Sequence, residues 1–444
     1  MKNQNVVDFL KLRASYGKAG QSDTGVGRYP FQSTYAGSNG YGFGYNNTWI
    51  NGYAESVIGN ENSLWEVSKM LNVGRDWDLW NKKLYGSVDV WKEWRSNILV
   101  TRTNVPESIL GISQAKDSYG KVESHGYEVV LGHRNKIGDF KYFLEGQLTF
   151  ATNKVIDIDE VEPQVEWQRK AGHRIYDETT VANLYQNGQS QASGIGGWYA
   201  YEFVQWASNP DLIATSQQDA IDHPEKYPYN AASNGSQALG TAVFKDLNGD
   251  RMIDSKDMAP TTYTMIPELI PTIKFGFDWK GFDFSMTVNA YLRRSVFLSP
   301  AMTFSGWSNL ATHEVTKSWG YYTDDPNDPR NVNAAYPRPV WGGFNAIDSD
   351  RGGGYTDGEL APYMNDIWIK SGNYWSIKNI EVGYSLPQNL ISKLWMTKCR
   401  LYFSAYNLAT FSDLPDGLDP EKPMSYCWWY PKTRSFTFGI NIGF

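Results

Sequence analysis

The residues best spaced for chemistry in this chain lie in "DLNGDRMIDSKD". Asp246, Asn248, Asp250, Asp254 and Asp257 occupy the first, third, fifth, ninth and twelfth positions of an EF-hand-type calcium loop, and the carbonyl of Met252 would supply the seventh. Hard divalent cations take several oxygens, and this spacing wraps them around one point. Ile253 matches the apolar anchor at the eighth position. Arg251 stands where the sharp turn ordinarily has Gly, and Asp257 replaces the longer Glu. The expected chemistry is a bound Ca2+, or Mg2+, that braces a loop without catalysis. The other reading of the same residues is an acidic surface turn whose Asp and Asn bond their own backbone.

No other pattern carries comparable chemistry. His125, His133, His173, His223 and His313 lack zinc spacing. There is no GxSxG, P-loop or dinucleotide fingerprint, and "RGGGY" and "GIGGWY" lack a strand–helix context. No catalytic residue or organic cofactor is therefore assigned, and the chain is not read as an enzyme. Trp167, Trp307, Trp319, Trp341, Trp428 and Trp429 fall between the patterned segments. Such rings stack on sugars, anchor a partner protein or pack loops together; the first four are the candidate substrate-binding residues. A net charge of −7 excludes a nucleic-acid partner, because phosphate binding needs a basic face.

The elements that must position these loops are strands. From Phe436 to Phe444 large apolar residues alternate with Thr437, Gly439, Asn441 and Gly443. The same period of two runs through Ile273 to Trp279, Phe282 to Leu292, Phe140 to Phe150, Leu10 to Tyr16 and Ile380 to Leu386. The pattern predicts ten strands, near 8–18, 66–80, 84–95, 122–133, 140–153, 269–279, 282–294, 374–386, 398–410 and 434–444. Their connections alternate short and long from end to end. The long ones, around 20–63, 96–120, 154–267, 297–373 and 411–433, are rich in Gly, Asn, Asp, Pro and Trp. A membrane barrel segregates its loops in this way, with short periplasmic turns and long extracellular loops. Aromatic content of 15% with only 20% charge suits half-apolar strands with aromatic girdles. It equally suits a secreted carbohydrate-binding β-protein or glycoside hydrolase, in which the apolar faces would pack inward.

Three local expectations follow. Arg75 falls on the apolar face of its strand, so it snorkels toward a headgroup or a bulge shifts the register there. Cys399 opens a strand and Cys427 lies in the loop beyond its far end, so no disulfide is expected between them. "MKNQNVVDFL" has no apolar run after its charge, so Met1 is expected to open a fragment of a longer exported protein.

The segments "LKLRASYGKAGQ", "WEVSKMLNVGRDWDLWNKKLYGSVDVW", "FKDLNGDRMIDSKD", "IPTIKFGFDWKGFDFSM", "YWSIKNIEVGYSLP", "LYFSAYNLATFSDLPDGLDPE" and "YPKTRSFTFGINIGF" together resemble the C-terminal barrel part of SusC/RagA-type, TonB-linked outer-membrane transporters. The resemblance implies an all-β, transmembrane antiparallel barrel of 22 strands, with residues 1–444 contributing the last ten. The plug, the TonB-contacting segment and the earlier strands would lie outside the chain. It further implies import of oligosaccharides or oligopeptides with a SusD-like surface lipoprotein as lid, energy from the TonB complex, contact with membrane lipid, and a dimer of the transporter–lipoprotein pair. Phe444 looks like the terminal aromatic read by the barrel-insertion machinery.

Overall fold

Strict alternation over eight or more residues leaves a strand with one greasy face and one wet face, and neighbouring strands of that kind pair so that like faces coincide. The computed structural model realises this as a ten-stranded antiparallel sheet in which every neighbour is the next wall strand in sequence. It describes residues 6–21, 29–100, 111–114, 116–175, 199–212, 242–250, 255–260, 263–298, 325–336, 366–415, 417–422 and 432–444, with a few isolated residues between them. The wall strands are β1 (Val7–Gln21), β2 (Glu66–Leu79), β3 (Leu84–Val100), β4 (Asp117–Ile137), β5 (Phe140–Asp157), β6 (Leu269–Trp279), β7 (Phe282–Tyr291), β8 (Tyr374–Ser385), β9 (Lys398–Ser412) and β10 (Ser435–Gly443).

All ten expected strands are present. The widest difference is in β4, which starts before 122 and runs past 133. β7 stops short of 294, because Arg293 has a positive φ of 55° and the Arg294 N–H turns aside to Asn373. A sequential antiparallel meander puts alternate connections at the same edge, so the short turns share one rim and the long connections the other. Lys280–Gly281 joins β6 to β7 with φ of 48° and 90°, the two positive values a tight hairpin needs. A side chain on residue 281 would be doubly excluded there: its Cβ would sit 2.8 Å from the Ser385 carbonyl.

The apolar face is uncovered. Leu12 is 76% exposed, Phe438 81% and Ile440 61%, so no second sheet packs against them. The secreted reading required these residues to point inward, and is set aside on that ground. Arg75 sits in an unbroken register, opposite Leu12 on one side and Val88 on the other. The nearest irregularity in β1–β2 falls at Val7/Phe9, so no bulge rotates Arg75 away, and its side chain stays exposed on the apolar face.

Beside a few buried wall residues such as Val155, Tyr374 and Ala405, most of the buried core lies in the connections. Ala200, Tyr201, Trp206, Val243, Met258, Val296, Leu298, Tyr336 and Trp368 are all buried, and all belong to the long connections. Short strand pairs assemble them: Tyr199–Tyr201 with Met258–Pro260, Phe203–Trp206 with Ala242–Phe244, and Ser295–Phe297 with Ile369–Ser371. The described parts of these two connections, within 199–212, 242–250, 255–260, 292–298 and 366–373, thus pair into a small platform at the long-loop rim.

Candidate functional site

The wet face of the sheet is built from alternate residues that carry charge in cross-strand sets. Arg13 on β1 donates from Nε and Nη2 to Asp76 on β2, at 3.0 and 2.7 Å, and from Nη2 to Asp89 on β3 at 2.8 Å. Glu145 on β5 accepts from the Tyr85 hydroxyl at 2.9 Å, from Gln147 at 2.8 Å and from Lys274 of β6 at 3.3 Å. Arg400 on β9 bridges Asp283 on β7, with one contact at 2.9 Å, and Glu381 on β8 at 2.6 Å. Each set takes residues from three strands, and the Glu145 set reaches from β3 across β4 to β6, so each ties the sheet laterally and leaves charge on this face.

The loop platform has its own half-buried polar centre. The Asp366 carboxylate accepts the Phe203 N–H at 2.9 Å, and Lys370 lies over the Tyr336 ring at 5.3 Å. Burial holds Asp366 above its usual range, lowers Lys370, and pushes Tyr336 up to about 12. The Trp206 indole N–H donates to the Ala334 carbonyl at 2.8 Å, tying the two long connections together.

A latch joins the last long connection to the wall. Glu421 pairs with Lys378 and Lys432, and the buried Arg294 guanidinium donates to the Pro420 carbonyl at 2.9 Å. Lys378 is the extra residue of a bulge between Ile377 and Asn379, which swings it toward Tyr291 and Glu421. Burial pushes the Glu421 carboxyl up, but the two lysines outweigh it and hold the group below its usual range. Its folded pKa is therefore depressed, so the latch is fully formed above the ordinary glutamate value of about 4.3 and is lost as pH falls through the folded value beneath it. Hydrogen exchange over 413–422 in the intact protein should accelerate on acidification through that window, after correction for intrinsic rates. Glu421→Gln should remove the pH dependence, and an unchanged profile in that variant would refute the latch.

The acidic loop is partly described. Asp246 accepts the Gly249 N–H at 2.7 Å, Asn248 accepts the Asp250 N–H at 2.9 Å, and the Asn248 amide donates to Asp250 at 2.8 Å. Asp257 is fully buried and accepts the Leu247 N–H at 2.8 Å, which closes the twelfth position against the second. Met252 and Asp254, like Arg251, lie outside the described residues. Among the described residues no three His, Cys, Asp or Glu side chains are grouped as metal ligands. Trp167 packs beside this loop, its indole N–H donating to the Lys256 carbonyl at 2.9 Å. Trp307, Trp319, Trp341, Trp428, Trp429 and Cys427 lie outside the described residues, while Cys399 is buried as a free thiol. Phe444 follows β10 with its ring exposed.

Sequence reasoning overlooked Arg294, Asp366, Glu421 and the three wet-face charge sets. Their signal was charge of both signs on the polar positions of strands, whose pairing only the register discloses. It also overlooked a hairpin of Thr34–Phe43 with Thr48–Ile58 inside the first long connection, which exposes Tyr35, Trp49 and Tyr53.

Comparison with known proteins extends over the full chain. It is 24% identical to TonB-dependent receptor P3 of Formosa agariphila, matching all of this chain and 40% of that protein. It is also 24% identical to TonB-dependent receptor SusC of Bacteroides thetaiotaomicron, matching all of this chain and 38% of that one. The chain thus spans about 40% of the length of the curated relatives it matches. Among solved structures, the RagAB peptide importer in its open-open state superposes with a TM-score of 0.66 at 15% identity, over 100% of this chain and 41% of that one. Its closed-closed state gives 0.64 at 16% identity, over 99% and 41%. These likenesses bear on the fold. No family model matches the chain.

Proposed function

We propose, from the premise that this chain is the C-terminal barrel part of a SusC/RagA-type TonB-dependent receptor of the outer membrane, that it forms part of the wall and loop platform of an importer for oligosaccharides or oligopeptides. A SusD-like surface lipoprotein would close over the long-loop rim, and the TonB complex would act through segments outside this chain. The observation that carries the reading is the sheet itself: one face bare and apolar, the other lined by charge sets, with every long connection leaving from one rim. That is the arrangement of a wall between lipid and a wet passage. The exposed Tyr35, Trp49 and Tyr53 supply ring faces suited to sugars, while the likeness to a peptide importer supports the peptide alternative.

The test is purification of the full-length receptor from outer membranes, followed by mass spectrometry of the intact and denatured complex. A co-purifying surface lipoprotein and a released glycan or peptide are expected. A receptor that purifies alone and empty, in conditions that keep its barrel folded, would overturn the reading.

The loop over 246–257 is proposed to take a divalent cation through Asp246, Asn248, Asp250 and Asp257, with Asp254 and the Met252 carbonyl completing the set. The fully buried Asp257 carboxylate, drawn against the start of the loop, supports that donor set. The cation would supply charge neutralisation and bracing. Extracellular calcium modules bind at about 0.1–1 mM. Millimolar Ca2+ should therefore slow protease cleavage within this loop, and Asp246→Asn with Asp257→Asn should abolish the protection. Cleavage indifferent to Ca2+ in the unmodified protein would refute the site.

A further inference from the structure

The bare face of β1–β5 changes character with height. Successive register rows, read across the five strands from the short-turn side, run Leu12–Arg75–Val88–Val129–Leu148 and Ala14–Val73–Val90–Tyr127–Phe150. The next two are Tyr16–Leu71–Lys92–His125–Thr152 and Lys18–Lys69–Trp94–Glu123–Lys154. Four lysines and a histidine thus enter within two rows, against the single carboxylate of Glu123. Lys92 takes that carboxylate at 2.9 Å and lies over the Trp94 ring at 5.3 Å. Lys18 and Lys69 stand directly opposite one another across the β1–β2 pair, both exposed, with no ion-pair partner among the described residues. Like charges so placed repel, and no ion pair among the described residues offsets it.

The height of the patch is informative. Ten residues of β2 separate Lys69 from Leu79 at the short-turn rim. At about 3.3 Å per residue and a tilt of about 45°, that places Lys69 about 23 Å up the wall, near the top of an apolar band about 25 Å tall. Trp65, 68% exposed and close over Gly20, and Trp94 bracket the lysine pair as rings do at a membrane interface. The patch is also lateral. Within β6–β10 the paired bare-face positions are apolar, such as Leu269, Ile273, Val288, Trp375, Phe411 and Phe436, and a single basic residue, Arg434, stands just before β10 on that face. Four lysines on neighbouring strands concentrate more positive charge than the lone Arg434 beside β10.

We infer that Lys18, Lys69, Lys92 and Lys154 form a binding site for the phosphate-bearing headgroup of a lipid in the outer leaflet, whose acyl chains lie on the apolar rows below. The site needs a lipid because its lower border is hydrocarbon-facing wall and its charge sits at headgroup level. This inference rests on the outer-membrane placement of the chain and is independent of what the receptor imports.

The test uses the full-length receptor in detergent micelles, with native mass spectrometry to count retained lipid. The probes are a bisphosphorylated glycolipid of the lipid A type, the same glycolipid stripped of phosphate, and inorganic phosphate. The unmodified receptor should retain the bisphosphorylated lipid about tenfold better than the stripped one. Lys18→Gln with Lys69→Gln should lose about tenfold in that retention, and Lys18→Arg with Lys69→Arg should keep it. The Gln variant should remain heat-modifiable on gels and, without lipid, be at least as heat-resistant as the original, since a repulsion has been removed. Equal retention of phosphorylated and stripped lipid by the unmodified receptor would overturn the inference without any variant. So would unchanged retention in the Gln variant, or inorganic phosphate competing as well as the lipid does.

Discussion

Gly126→Val is expected to remove most of the folded barrel. Gly126 lies in β4, where a Cβ would sit 2.3 Å from the Phe150 carbonyl oxygen and 2.8 Å from the Trp91 ring. The carbonyl belongs to the next wall strand, so the clash is relieved only by parting β4 from β5. Trp91, from β3, closes the other side. Overpacking of this kind costs about 3 kcal/mol, and here it also breaks ladder hydrogen bonds in the middle of the meander. The measurement is the fraction of full-length receptor that migrates as the compact, heat-modifiable form. A variant that folds to the same fraction as the original would show that the β4–β5 approach is looser than described.

Arg400→Leu should be nearly as damaging, for an electrostatic reason. Arg400 is the cation between Asp283 and Glu381, and the three come from β9, β7 and β8. Leucine leaves two carboxylates facing each other with no counter-charge. Removing one member of a fully buried charge set costs about 3–5 kcal/mol. This set is partly exposed to the wet face, so about 2–3 kcal/mol is expected, read from denaturant unfolding of the receptor in lipid vesicles. Arg400→Lys should recover only part of the loss, because a single ammonium cannot reproduce the fork that holds two carboxylates at once. Equal stability of the Leu variant and the original would mean the set contributes nothing to the wall.

Both predictions concern residues on the polar side of strands, which is where reading the sequence stopped. Alternation located the ten wall strands, several to within one residue, because a period of two is a local property that survives whatever the strand packs against. The aromatic face and the parity of loop lengths were legible for the same reason. The spacing of the acidic run 246–257 is local in the same way. Trp167 was legible only as an exposed-loop candidate. Its bond to the Lys256 carbonyl spans 89 residues and has no signature in either segment.

The sequence by itself determined that this chain is a succession of two-faced strands whose elaborate connections share a rim; that the greasy side is left bare rather than packed inward came from the structure. Tertiary structure alone decided what stands beside what: Arg400 between Asp283 and Glu381, Glu421 under Lys378, Trp206 on the Ala334 carbonyl, and Lys18 opposite Lys69. The reason is physical. Period and hydropathy act over a few neighbouring residues, whereas charge pairing and loop packing act through space between segments tens to more than a hundred residues apart. Only the register of the sheet brings those segments within reach.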